Sequence, residues 1–155
     1  YGNLCQRIFS FIKNNCSNLV VKKGDLSDND KKIIKETNDL TRDLRELIES
    51  QNLNNYIKSV LNISFLTNKY INDEEPWKLR KVNIEKMNNI LHIALDQIAK
   101  ISILLNPIIP IASTKVMDAL NISTESKNLS FLDNQSIITD EITIKELKVL
   151  FKKIT

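Results

Sequence analysis

Two glycines and three prolines in 155 residues leave this chain almost without turn-makers. That shortage limits its fold more than any motif does. An all-β sandwich needs a turn signal about every 8 to 12 residues, and the chain cannot supply them. With 42% hydrophobic residues and one domain's worth of length, it can bury about two thirds of the surface that its unfolded form exposes. The expectation is an all-α fold, a bundle of about five helices forming one domain over residues 1–155.

Apolar spacing places the helices. In "GNLCQRIFSFIKNNC" Leu4, Ile8 and Phe11 interleave with Cys5, Phe9, Ile12 and Cys16 at three-and-four intervals, which predicts a helix with a wide buried face. Asn3, Arg7, Ser10 and Asn14 form a separate polar stripe on it. A polar connection follows, and Ser27 with Asp30 three residues later has the form of a capping box. A second helix over about 28 to 50 buries Ile33, Ile34, Leu40, Leu44, Leu47 and Ile48, its alternating charges reading as a solvated face. A third, about 53 to 72, carries Leu53, Ile57, Val60, Leu61 and Phe65 together with Tyr56, Ile63, Leu66 and Tyr70. A fourth, about 84 to 105, has so little polar circumference that it is expected at the bundle's centre. Pro107 stops it, and Pro110 suits the first turn of a fifth helix ending near Leu120. Residues 121–155 signal less: a polar loop, an apolar knot at Phe131 and Leu132, and a terminal "ITIKELKVLFKKIT" that is either a short helix or an extended tail.

A net charge of +3 is compatible with a polyanionic partner without demanding one. Cys5 and Cys16 fall on one helix about 16 Å apart, too far for a mutual disulfide. Two free thiols suit a reducing compartment, the cytoplasm. The most apolar stretch, "ISILLNPIIPIA", is far short of the roughly 20 residues needed to cross a bilayer. The chain opens at Tyr1 directly into helical periodicity, as an excised fragment would.

Little here suggests catalysis. His92 is the only histidine and lies among apolar residues; without a second His or a Cys cluster as co-ligands it reads as structural rather than catalytic or metal-binding. Cys5 and Cys16 read as small hydrophobes. Gly2 and Gly24 alone cannot build a phosphate-cradling loop. What remains is recognition. Asn3 and Arg7, four residues apart, project side by side from one helix face and offer an amide and a guanidinium fork. With an aromatic on which an unstacked base can lie, these groups read single-stranded RNA. The only tryptophan, Trp77 in "EEPWKLRK", supplies such a ring. Periodicity alone favours the plainer case, in which Asn3 and Arg7 are solvated or ion-paired and Trp77 plugs one end of the bundle, and a helical module docking a protein partner is the alternative from another class.

Four strings narrow the choice. "GNLCQRIFSFI" (2–12) resembles the G-N-L-x-x-R-x-x-x-F-I opening of the anticodon-binding domain of methionyl-tRNA synthetases. "YINDEEPWKLRK" (70–81) resembles that domain's Y-hydrophobic-x(4)-P-W segment, and "ISILLNPIIPIASTKVMDALNI" (101–122) its I-x-x-L-L-x-P-x-x-P corner. The ending "ELKVLFKKIT" is similar to its terminal L-F-P-R-I, here L-F-K-K-I. Class I synthetases for isoleucine, leucine, valine and cysteine carry comparable bundles; N-L-x-x-R combined with P-W favours methionine.

The resemblance implies that Asn3 and Arg7 hydrogen-bond anticodon bases, that Trp77 stacks on the first anticodon base, cytosine, and that Pro76 fixes its loop. The implied partner is the CAU anticodon stem-loop of methionine tRNA. Lys78, Arg80 and Lys81 are added as phosphate contacts from charge and proximity alone. No cofactor is expected in these residues. The parent enzyme would join methionine to tRNA through an adenylate, using ATP and Mg, with Zn in an insertion of its catalytic module. The signatures of that module are not in these residues and are expected upstream.

Overall fold

The computed structural model describes residues 1–123, 127, 129 and 136–151. Helix α1 spans Gly2–Asn15, strand β1 Leu19–Val21, α2 Asp28–Glu49, α3 Leu53–Glu74, the single turn α4 Pro76–Leu79, α5 Ile84–Leu105, α6 Pro110–Ala119 and strand β2 Glu141–Thr143. The five long helices fall where the apolar periodicity puts them. Local chemistry explains their ends. Ser27 and Asp30 form a reciprocal capping box at the start of α2, Asn52 and Asn83 cap α3 and α5 with their side-chain oxygens, and Pro110 occupies the first turn of α6.

Helix α5 is the axis of the bundle, contacting α1, α2, α3, α4, α6 and β1. Every residue from Asn89 to Leu105 is buried. The three tyrosines pin the other helices: Tyr56 donates to the Leu104 carbonyl at 2.7 Å, and Tyr70 donates to Asp30 Oδ1 at 2.6 Å. Tyr1 Oη lies 2.6 Å from Ser102 Oγ, whose own hydroxyl is given to the Ile98 carbonyl. Each hydroxyl is thus satisfied inside an apolar contact, which avoids the cost of an unpaired buried polar group.

Helix α3 departs from expectation. Tyr56, Val60, Ile63 and Tyr70 are buried, but Leu53, Leu61 and Phe65 face solvent, as does Ile48 at the end of α2. Apolar residues occur all round α3, so periodicity cannot say which side meets the core.

Through residue 151 the terminal segment contributes a strand and no helix. Its β2 pairs antiparallel with β1, Val20 opposite Ile142, and Ile142 and Ile144 are buried. The apolar knot at Phe131 and Leu132, and the last three residues of L-F-K-K-I, lie outside the described residues.

Polar groups on α5 hold this segment down. Asp96 Oδ1 accepts from the Ile137 amide at 2.6 Å, the Ile138 amide at 3.3 Å and Ser136 Oγ at 3.0 Å. Its other oxygen lies 3.3 Å from Lys100 Nζ, which also donates to Asn38 Oδ1 on α2. His92 is buried, with Nε2 donating to the Thr139 carbonyl at 2.9 Å.

Burial lowers the His92 pKa from its ordinary 6.5, assisted by the Lys22 charge and opposed by the Thr139 bond and by Asp96 and Asp140. A base with a depressed folded pKa leaves the unfolded state binding more protons. Its contribution to stability is therefore complete above 6.5 and is lost as pH falls from there through the folded value. His92→Gln keeps a donor for Thr139 but cannot titrate. Its urea midpoint should fall less than the wild type's between about pH 7 and about pH 5; parallel curves would refute the assignment.

Candidate nucleic-acid interface

The chain between α3 and α5 decides where the tryptophan points. Glu75 sits in the left-handed region at φ 46°, ψ 57°, an unusual conformation for a residue with a side chain. It serves two helices at once: its amide closes the last turn of α3 on the Ile71 carbonyl, and its own carbonyl accepts from the Lys78 amide to open α4. Pro76 follows at the first position of α4, where its fixed φ suits a helix start and no donor is lost. Pro76 is buried, Leu79 packs against the core, and the Leu79 carbonyl accepts from the Val82 and Asn83 amides. The turn is anchored at both ends, and Trp77 projects from it with 39% of its surface in solvent.

Arg7 reaches this ring from α1. Its guanidinium carbon is 4.9 Å from the Trp77 ring centroid, inside the roughly 6 Å range of a cation–π contact. Two residues seventy positions apart, singled out separately in the sequence, therefore meet. Asn3 lies one turn away on the same exposed stripe of α1, and its amide has no side-chain hydrogen bond among the described residues. Trp77 is neither a core plug nor fully solvated. It is a partly exposed ring with a guanidinium over it and an amide one turn further along α1.

The three cations after Trp77 differ in their surroundings. Lys78 is ion-paired with Glu75 at 2.8 Å, and Arg80 Nη1 donates to Asn15 Oδ1 at 2.7 Å. Lys81 is exposed and has no ion-pair partner among the described residues. The Arg80 bond ties the end of α4 to the last turn of α1, where Asn15 also donates to the Phe11 carbonyl at 2.8 Å. Asn15 and Glu75, which fix how α4 sits, escaped sequence reasoning; nothing local marks a left-handed glutamate or an asparagine with a partner sixty-five residues away.

Burial pushes the Cys5 thiol up to about 12, so it stays protonated at neutral pH, and burial also raises Cys16. No group of three or more His, Cys, Asp or Glu among the described residues is placed to hold a metal ion. No helix among them is long and apolar enough to cross a membrane.

Comparison with known proteins identifies the family. Residues 20–155 match a family described as the anticodon binding domain of methionyl tRNA ligase. The matched region includes Trp77 and starts after α1. Curated relatives extend over α1 as well: the chain is 29% identical over 154 residues to a methionine–tRNA ligase of Bacteroides fragilis, covering 99% of this chain and 22% of that protein. It is 26% identical to one of Thermococcus onnurineus, covering 99% of this chain and 20% of that protein. The chain thus spans about a fifth of the length of these relatives. Among solved structures, the methionyl-tRNA synthetase of Mycobacterium tuberculosis bound by methionyl-adenylate superposes with a TM-score of 0.89 at 20% identity. That superposition covers 97% of this chain and 30% of the other, and it shows the same fold.

Proposed function

Given that the chain belongs to the family of anticodon-binding domains of methionyl-tRNA ligases, we propose that it reads the CAU anticodon of methionine tRNA for an enzyme that ligates methionine to that tRNA. The observation that carries this reading is the Arg7–Trp77 contact at 4.9 Å. It puts a stacking ring and a base-edge donor in one place, with the Asn3 amide one turn along α1.

In this mechanism the first anticodon base, cytosine, leaves the loop stack and lies on Trp77, which Pro76 and the Glu75 turn hold in place. Arg7 and Asn3 meet base edges with a guanidinium fork and an amide, groups that satisfy one pattern of donors and acceptors and are left unpaired by others. Lys78, Arg80 and Lys81 contribute charge toward the loop phosphates, with Lys81 the most available. Ligation through an adenylate, with ATP, Mg and Zn, belongs to a catalytic domain elsewhere in the full-length protein. The wrong tRNA is rejected by the bundle, away from the bond being made. The two free thiols suit work in the cytoplasm.

The test is a filter-binding titration with a CAU stem-loop and with the same hairpin carrying a different anticodon. The CAU hairpin should bind more tightly. Arg7→Gln should cost about tenfold on CAU, the value of one charged hydrogen bond, and less on the swapped hairpin. Equal losses on both would reduce Arg7 to a phosphate contact, and equal wild-type affinities would defeat the anticodon assignment.

A further inference from the structure

A cleft of about 530 Å³ lies between α2 and α5, remote in sequence from the Trp77 turn. Its floor is apolar, from Leu26, Ile34 and Ile93, and one wall is a single stripe of α2: Lys31, Lys35, Asn38, Asp39 and Arg42. In the sequence that stripe read as an ordinary solvated face. Folded, it borders a concavity of the size that small-molecule sites occupy, roughly 300 to 1,000 Å³.

The charges in the cleft do not balance. Each acid lining it is already neutralised: Asp39 by Arg42 at 3.0 Å, Asp96 by Lys100 at 3.3 Å. Lys22 faces Asp140 at 3.4 Å. Lys31 and Lys35 have no ion-pair partner among the described residues, and four positions apart on one helix face they repel each other. Asn38 uses its carbonyl oxygen on Lys100, so its NH₂ remains a donor. His92, committed to the Thr139 carbonyl, brings no compensating negative charge. Two unbalanced ammonium groups and an amide donor above an apolar floor form a cradle for anionic oxygens. The lysines stand about 6 Å apart along the helix, which suits linked phosphoryl groups better than one carboxylate.

We propose that this cleft binds a small polyphosphate anion, its oxygens held by Lys31, Lys35 and the Asn38 amide, with the apolar floor available to a group attached to the phosphates. The site is separate from the anticodon surface and does not depend on it.

Calorimetric titration of the chain with sodium tripolyphosphate tests this. Saturable one-to-one binding is expected. Lys31→Gln with Lys35→Gln should weaken it about tenfold or more, since each removes a charged hydrogen bond. Lys31→Arg with Lys35→Arg should retain it, and Trp77→Ala should leave it unchanged. Both lysines are exposed, so the helical circular dichroism of every variant should match the wild type's. Absence of saturable binding, or binding indifferent to the double glutamine variant, overturns the proposal. If that variant instead weakens the RNA hairpin while tripolyphosphate does not bind, the lysines belong to the RNA backbone contact and the proposal falls.

Discussion

Trp77→Ala is expected to weaken binding of a CAU stem-loop by about 5- to 150-fold, the loss of one base stacked on an aromatic ring, which is worth roughly 1 to 3 kcal/mol. The fold should survive. Trp77 is 39% exposed, and α4 is anchored by buried Pro76, by Leu79 and by the Arg80–Asn15 bond rather than by the indole. Releasing Arg7 from the ring costs only about 0.5 to 1 kcal/mol at an exposed site. Far-UV circular dichroism should therefore be unchanged while affinity collapses, and Trp77→Phe should recover part of it because a smaller ring still stacks. Wild-type affinity in the alanine variant would remove Trp77 from the interface.

The largest effect on stability should come from the centre of the bundle. Asp96→Ala is expected to cost about 3 to 5 kcal/mol, because removing one partner of a buried ion pair takes that counter-charge from the other. Lys100 is fully buried and Asp96 nearly so. The same substitution leaves the Ile137 and Ile138 amides and Ser136 Oγ without their acceptor. Lys100→Met should also destabilise, by stranding the carboxylate. Removing both charges should cost clearly less than the two single losses added together, since neither charge then remains without the other. Urea denaturation of the four proteins in this cycle measures the coupling. Simple additivity would mean that the 3.3 Å contact contributes nothing as a pair.

Most helix boundaries were legible because they depend on neighbours in the chain. Ser27 and Asp30 announce α2, Pro107 and Pro110 turn the corner into α6, and the apolar density of residues 84–105 marks the axis. The paired strands were not legible. Ile142 and Ile144 alternate with polar neighbours, a period of two that suits a strand, but so short a run does not stand out in a helical chain, and neither strand carries a sign of a partner more than a hundred positions away. The sidedness of α3 was equally hidden, because its apolar residues encircle it and only packing distinguishes Tyr56 from Phe65.

At the candidate interface, spacing alone set Asn3 and Arg7 on one stripe, and the resemblance to a known domain attached Trp77 to them. Neither could reveal that Arg7 lies against the ring, since that depends on how α4 is hung from Glu75. The paired state of Lys78 and Arg80 was invisible for the same reason: proximity in sequence says which charges are near, not which are already occupied.

The clasp between the two strands has a consequence for how the chain is made. Contacts between neighbouring helices are local and can form as soon as those helices leave the ribosome. The clasp cannot: the Ile144 amide bonds the Asn18 carbonyl and the Lys145 amide the Ala119 carbonyl, and Asp96 waits for amides at 137 and 138. A nascent chain halted after α6 would hold a helical bundle whose central carboxylate lacks those donors and whose β1 has an open edge. Only translation through residue 145 closes both, so the central charge and the open edge are answered together, after all the helices of the bundle have been made.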